Sequence, residues 1–224
     1  MSRGLNRTRI LEAATDYIDA HGPESLTMRR LGSHLGVEAM ALYRHMEGKD
    51  RLLGDVVDGL VDDLLDDPRI TSGADTWQEY LRSVGTAMRD LEADHPRAFP
   101  LVATRPPEAP WLRPPLRSIR WVEHFLSALV AHGFSHHRAV RTYKAFTSFL
   151  VGHLLLEASS RGEQVSPISA GTAAAGNEGP GATEDPADHP TVMELQHLLS
   201  ADHSDREFDE GLDALIERIR LPGG

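Results

Sequence analysis

The stretch Thr27-Met28-Arg29-Arg30-Leu31-Gly32-Ser33-His34-Leu35-Gly36-Val37-Glu38-Ala39-Met40-Ala41-Leu42-Tyr43-Arg44-His45-Met46 leaves the chain little choice of local structure. Met28, Leu31 and Leu35 recur at i, i+3 and i+7, which makes one apolar helical stripe. Thr27 stands where an N-cap is needed. Gly36 stands one residue past the stripe, where a left-handed backbone costs least. Val37 and Leu42 then anchor a second helix whose other face carries Tyr43, Arg44 and His45. A helix, a short glycine turn and a second, polar-faced helix predict a helix-turn-helix unit. Such a unit lays its second helix in the major groove of double-stranded DNA.

The flanks narrow the reading. Ile10, Ala14, Tyr17 and Ile18 predict a preceding helix that stops at Gly22-Pro23. Leu53, Val56, Val57, Leu60 and Leu64 predict a following one that opens near Gly48-Lys49-Asp50. Ile10-Leu11-Glu12-Ala13-Ala14, Leu26-Thr27-Met28-Arg29-Arg30-Leu31, Leu42-Tyr43-Arg44-His45-Met46 and Lys49 resemble the DNA-binding domain of TetR-family repressors over about residues 5–65. Ala103-Thr104-Arg105-Pro106, His132-Gly133-Phe134-Ser135 and Phe208-Asp209-Glu210-Gly211-Leu212-Asp213-Ala214-Leu215-Ile216 resemble the C-terminal domain of the tetracycline repressor subclass.

Net charge is −11, which at first argues against a DNA binder, but the acid is unevenly spread. Residues 1–52 hold 8 Lys and Arg against 7 Asp and Glu. That leaves 15 basic against 27 acidic residues (23 less 8, and 34 less 7) for the remainder. The acid lies away from the expected DNA face, and it disfavours loose binding to phosphate. With no cysteine there is no disulfide framework and no thiolate chemistry. No apolar run is long enough to span a membrane, and the start of the chain does not resemble a signal peptide, so a cytoplasmic protein is expected.

Beyond the head, the pattern stays helical. Thr76-Trp77-Gln78-Glu79 is a capping box, and Trp77, Leu81, Val84 and Met88 follow it as a stripe. His95-Pro96 is expected to start a short helix ending near Val102, before a proline-rich break from Arg105 to Pro115. Val122, Phe125, Leu126 and Leu129 mark the next helix. Val140, Tyr143, Thr147, Leu150, Val151 and Leu154 mark a long one after Ser135. From Gly162 to about Pro186 the composition turns to Gly, Ala, Ser, Pro and acid, which predicts a mobile loop. Its Gly171-Thr172-Ala173-Ala174-Ala175-Gly176 lacks the Lys-Ser/Thr ending of a phosphate loop. Val192, Leu195 and Leu199, then Phe208, Leu212, Leu215, Ile216 and Ile219, mark two closing helices. With no alternating β pattern, the expected fold is all-α. It divides into a DNA-binding head at 1–48, a linking helix at 49–67 and an effector-binding and dimerisation body at 68–224.

On the head, Ala39, Met40, Ala41 and Tyr43 are expected to face the groove, with Arg29 reaching a guanine edge. Met28 and Arg44 belong to the same candidate set. The resemblance further implies phosphate contacts from Thr27, Tyr43, His45 and Lys49. Ala39, Met40 and Ala41 cannot make bidentate hydrogen bonds, so specificity would lean on Arg29, thymine methyls and DNA shape. On the body, Phe99, Trp121, Phe125, Phe146, Phe149 and His153 stand on helices expected to enclose an effector cavity, with Leu101, Thr104 and Arg105 beside them. The same rings suit an ordinary core. In the tetracycline repressor subclass the drug arrives as a magnesium chelate, held by a histidine three residues before the Thr of Thr-Arg-Pro. Leu101 occupies that position here. The resemblance therefore implies a small organic effector taken without metal or other cofactor.

His124, His132, His136 and His137 can be read as a zinc or nickel site, or as solvated histidines at a helix junction; the second reading is favoured. No nucleophile elbow, zinc-protease motif or dinucleotide fingerprint points to an enzyme. The expected function is ligand-responsive transcriptional regulation by a homodimer on a palindromic operator. A helical adaptor or binding protein without DNA function is the alternative, with an enzyme behind it.

Overall fold

The computed structural model describes residues 5–105, 111–112, 118–160, 188–201 and 203–219. These residues form helices and turns and contain no strand. The proline-rich segment, except Arg105, Trp111 and Leu112, and the glycine- and alanine-rich stretch at 162–186 lie outside them.

The head is built by α1 (Arg7–His21), α2 (Met28–Leu35), α3 (Ala39–Leu42) and the first half of α4 (Lys49–Asp63). Asn6 caps α1 by accepting from the Arg9 amide, and Gly22 ends it with a positive φ of 79°. Thr27 caps α2 through the Arg30 amide, and Gly36 ends it in the left-handed region at φ 71°, ψ 31°. Both ends of α2 therefore fall where the side-chain chemistry of the sequence puts them. Ile10, Ala14, Ile18, Leu26, Leu31, Leu42, Met46, Leu53 and Val57 fill the head's core.

The helix linking head to body is broken. α4 ends at Asp63, a 3-10 turn covers Leu64–Asp66, and Asp67 caps a one-turn α5 (Pro68–Thr71). A proline at this point would ordinarily break a helix. Instead Pro68 takes the first helical position, where its missing N–H is no loss, and Ile70 is buried.

The body consists of α6 (Trp77–Asp94), α7 (Pro100–Thr104), α8 (Ile119–Ala131), α9 (His136–Ser160), α10 (Pro190–Leu199) and α11 (Ser204–Arg218). Thr76 and Glu79 close the expected capping box at the start of α6. The short helix begins later than expected. The chain turns from His95, with the Ala98 and Phe99 amides donating to its carbonyl, and becomes helical only at Pro100. α9 packs on α6, α8 and α11. The apolar stripes of α9 and α11 are used inside the protomer, because Tyr143, Phe146, Leu150, Leu154, Phe208, Leu212 and Ile216 are all buried. Val140 and Leu156 of α9 lie outside that core and are exposed. α10 buries none of its residues, and its Val192, Met193, Leu195, Leu198 and Leu199 are exposed. No helix among the described residues is long and apolar enough to cross a membrane.

Candidate nucleic-acid interface and effector cavity

The face that α2 and α3 offer to solvent is built by a close approach of two backbones. Gly32 lies under the start of α3, where an added Cβ would stand 2.9 Å from the Val37 carbonyl oxygen. The Gly32 carbonyl in turn accepts from the Val37 amide at 2.9 Å. With α3 seated this closely, Leu42 points into the core while Met40, Tyr43, Arg44 and His45 stay exposed. Met40 is 71 % exposed, a large apolar side chain left in water beside a small-residue surface at Ala39 and Ala41. Arg29 is exposed next to them. The Thr27 hydroxyl accepts from the Arg30 amide at 3.2 Å and keeps its own proton free to donate.

Two residues of the expected DNA set, besides the alanines of α3, are less exposed than the rest. Met28 is 7 % exposed and belongs to the head's core, because the stripe that defines α2 turns it inward with Leu31. The Lys49 ammonium is part-buried and donates to the Pro23 carbonyl at 3.1 Å, which ties α4 to the turn after α1. Burial first, then the neighbouring Arg105 cation, hold Lys49 below the ordinary lysine value. In this conformation the half-buried Lys49 ties α4 to the Pro23 carbonyl.

In the body, Val84, Met88, Trp121, Phe125, Phe146, Thr147, Leu150 and Val151 surround an apolar cavity of about 10 Å³. Of the expected wall residues, Trp121, Phe125 and Phe146 meet there. Phe99 and Leu101 are buried in the core but off this wall. Phe149 and His153 turn to the far side of α9, where their rings lie 6.1 Å and 5.4 Å from Phe208 of α11. Helical spacing alone could not decide which side of α9 they take.

The expected polar residues are engaged as well. The Thr104 hydroxyl donates to the Pro100 carbonyl of its own helix. Arg105 reaches Asp50 at the start of α4, at 3.2 Å. Arg105 is one end of a clamp on the head. At the other end His95 Nδ1 meets Asp19 at 2.7 Å, the Ala98 amide donates to Asp19 at 3.2 Å, and Arg97 donates to the Ala20 carbonyl at 2.8 Å. The segment from His95 to Arg105 thus holds both the end of α1 and the start of α4. α8 is tied to α4 in a similar way, with Ser118 and Arg120 donating to Asp62.

The histidines divide. His136 and His137 are exposed, as a solvated cap requires. His124 is not solvated at its tip: Nε2 is shut from water, and burial holds the imidazole below its ordinary value. Tyr80 had no distinguishing signal in the sequence, since an aromatic three residues after Trp77 reads as plain core; His124 stood out only as one of the grouped histidines. Among the described residues no three His, Asp or Glu side chains gather as a metal site.

Comparison with known proteins agrees with this architecture. Residues 10–56 match the family model of bacterial regulatory proteins of the tetR family, and residues 69–221 match the tetracyclin repressor-like C-terminal domain. An HTH-type transcriptional regulator of Saccharopolyspora erythraea is 28% identical over 223 residues, spanning 98% of this chain and 86% of that one. The class D tetracycline repressor protein of Escherichia coli is 26% identical over 221 residues, 97% of this chain and 90% of its own. The crystal structure of a possible TetR family transcriptional regulator from Streptomyces coelicolor superposes with a TM-score of 0.71 at 24% identity, covering 96% of this chain and 98% of that one. A helix-turn-helix head with an exposed α3, joined to a helical body that two separate family models span almost end to end, makes this chain a member of the TetR family of transcriptional regulators.

Proposed function

We propose that the protein represses transcription as a homodimer on a two-fold operator in the cytoplasm, and that a small organic effector releases it. The observation that carries the DNA reading is the solvent face made by Arg29, Met40 and Tyr43. Two large side chains and a guanidinium stand out around small Ala39 and Ala41, and Gly32 sets the height of that surface. Arg29 suits a guanine edge, and Met40 with the alanines suits thymine methyls. Thr27, Tyr43, Arg44 and His45 are exposed and carry groups that can donate to phosphate. Lys49 and Met28 are left out of the contact set.

The dimer reading rests on exposed apolar surface in the single chain, above all on α10 together with Val140 and Leu156 of α9. The effector reading rests on the aromatic cavity between α6, α8 and α9 and on the clamp that ties the adjoining His95–Arg105 segment to the head. A cavity of about 10 Å³ has no room for an organic molecule, so the effector binds a form in which these helices have parted. Its hold on DNA then falls by the effector's preference for that form. Leu101 supplies no metal ligand, and the cavity wall is apolar apart from Thr147, so the effector is a largely apolar, metal-free molecule.

The test begins with duplexes selected from a random pool by the full-length protein. Fluorescence anisotropy at several salt concentrations should show tight, salt-sensitive binding to a two-fold sequence, lost in Arg29→Ala. A metabolite panel is then screened for release. Failure to enrich any sequence would overturn the DNA reading. Release that requires magnesium would overturn the metal-free effector.

A further inference from the structure

Two buried polar atoms beside the cavity meet no partner. Tyr80 of α6 is 3 % exposed, and its hydroxyl has no hydrogen bond among the described residues. Nε2 of His124 on α8 is equally shut from solvent and equally unpaired. Native proteins seldom leave such groups unsatisfied, because each forfeits its hydrogen bonds to water and receives none in return. Here two occur in one cluster of rings. The Tyr80 and His124 ring centroids are 6.2 Å apart. Trp121 stacks on His124 at 25°, and Phe125 lies 5.7 Å from Tyr80. Trp121 and Phe125 are also walls of the apolar cavity. The unpaired atoms and the cavity therefore share two side chains.

The chemistry of the cluster defines what it can take. Burial pushes the Tyr80 phenol above its ordinary value, so it keeps its proton and can donate or accept. Burial pushes His124 the other way, so its ring is neutral and offers Nε2 as donor or acceptor according to tautomer. Tyr80, Trp121, His124 and Phe125 include no carboxylate, ammonium or guanidinium, and the other titratable group of the cluster is the His132 ring, 6.5 Å from Tyr80; an ionised ligand would find no fixed counter-charge among them. A flat ring suits the aromatic walls, and a hydroxyl or carbonyl on its edge would satisfy both orphaned atoms.

We infer that Tyr80 and His124 are the hydrogen-bonding groups of the effector site, and that the effector is an uncharged aromatic molecule bearing a hydroxyl or carbonyl group. This rests on the effector-cavity reading above and adds the class of ligand and the residues that select it. The two groups are held unpaired in the resting protein and are satisfied only when the ligand arrives.

Titration calorimetry of the full-length protein with naphthol, and with naphthalene as its hydroxyl-free analogue, tests the inference. Naphthol should bind about tenfold tighter or more, since naphthalene would leave both groups unsatisfied. Tyr80→Phe and His124→Leu should each bring the two affinities to within about threefold; His124→Phe, which keeps a ring but no hydrogen-bonding group, covers the case in which the leucine variant fails to fold. The unliganded Tyr80→Phe protein should melt at or above the parent temperature, because the substitution removes an unsatisfied hydroxyl. Equal affinity of the parent for the two probes would overturn the assignment of Tyr80 and His124 and leave the cavity reading standing. Binding of neither probe would overturn both. A melting temperature lowered by several degrees in Tyr80→Phe would mean that the hydroxyl is already satisfied by a bound water in the resting protein, and would also overturn the assignment.

Discussion

Gly32→Ala isolates the contact that sets the reading surface. The new Cβ would stand 2.9 Å from the Val37 oxygen, 3.2 Å from the Ala39 nitrogen and 3.4 Å from the Ala39 Cα. All three are backbone atoms, so no side chain can rotate away. α3 must lift by a few tenths of an ångström, and the 2.9 Å bond from the Val37 amide to the Gly32 carbonyl is strained with it. Against this, alanine in a helix interior is about 1 kcal/mol better than glycine. Overpacking of a well-fitted contact costs about 1–3 kcal/mol, and with only backbone to yield the cost falls in the upper part of that range. The net loss is about 1–2 kcal/mol. For a chain of this length that is a fall of roughly 2–8 °C in melting temperature. Gly59→Ala on α4, where an added Cβ meets nothing within 4 Å, is the control and should gain about 0.5–1 kcal/mol. Calorimetric melting at fixed protein concentration reads the first effect, and anisotropy on the selected operator reads the second. At 25 °C the variant remains folded, so lost affinity reports a misplaced α3; about tenfold or more is expected, equivalent to about 1.4 kcal/mol. A Gly32→Ala protein that melts as high as Gly59→Ala and binds the operator normally would refute the reasoning.

Arg29→Ala should weaken operator binding by roughly 1–3 kcal/mol per half-site and relax preference at one base position; uniform weakening on all sequences would reassign Arg29 to phosphate. Lys49→Ala should lower the melting temperature, because the tie to Pro23 is lost, while leaving the salt slope of DNA binding unchanged. A flatter slope would restore Lys49 as a phosphate contact. His124 has its folded pKa held below the ordinary 6.5 by burial. As pH falls through 6.5 the unfolded chain takes up the proton first, so this residue's contribution lowers stability progressively down to the folded value. Melting temperatures of the parent should therefore drop more steeply below pH 6.5 than those of His124→Leu, and parallel curves would exclude the effect.

The head was legible in the sequence because its signals are local. Thr27 and Gly36 sit at the ends of an eight-residue helix and do chemically what caps must do. The capping box at Thr76 was legible for the same reason. Boundaries set by proline were harder. Pro68 and Pro100 each occupy a first helical position, yet a proline in sequence reads equally well as a break. The candidate effector site was only half legible. Periodicity marked Phe125 as inward-facing, and Trp121 and Phe146 were singled out only as rings on helices expected to enclose a cavity; nothing in the sequence separated the cavity side of α9 from the side where Phe149 and His153 meet Phe208. Pairs far apart in the chain, such as Asp19 with His95 and Asp50 with Arg105, leave no local trace. The sequence drew attention to His124 only as one of a group of histidines and to Tyr80 not at all, because what marks both is a missing partner in three dimensions.

The smallness of the cavity bears on how much effector a cell must contain before the regulator responds. A closed cavity means that the form able to bind is a minority of the population, and the apparent dissociation constant is the intrinsic one divided by that fraction. If parting α6, α8 and α9 costs about 2.7 kcal/mol, the open form is about one per cent of molecules, and the half-response concentration rises about a hundredfold. Trace amounts of a ligand that fits well would then leave the operator occupied. The dose at which genes are released is thus set by how tightly Trp121, Phe125 and Phe146 pack in the closed form as well as by how well they hold the ligand in the open one, and substitutions that loosen the closed packing would lower the threshold.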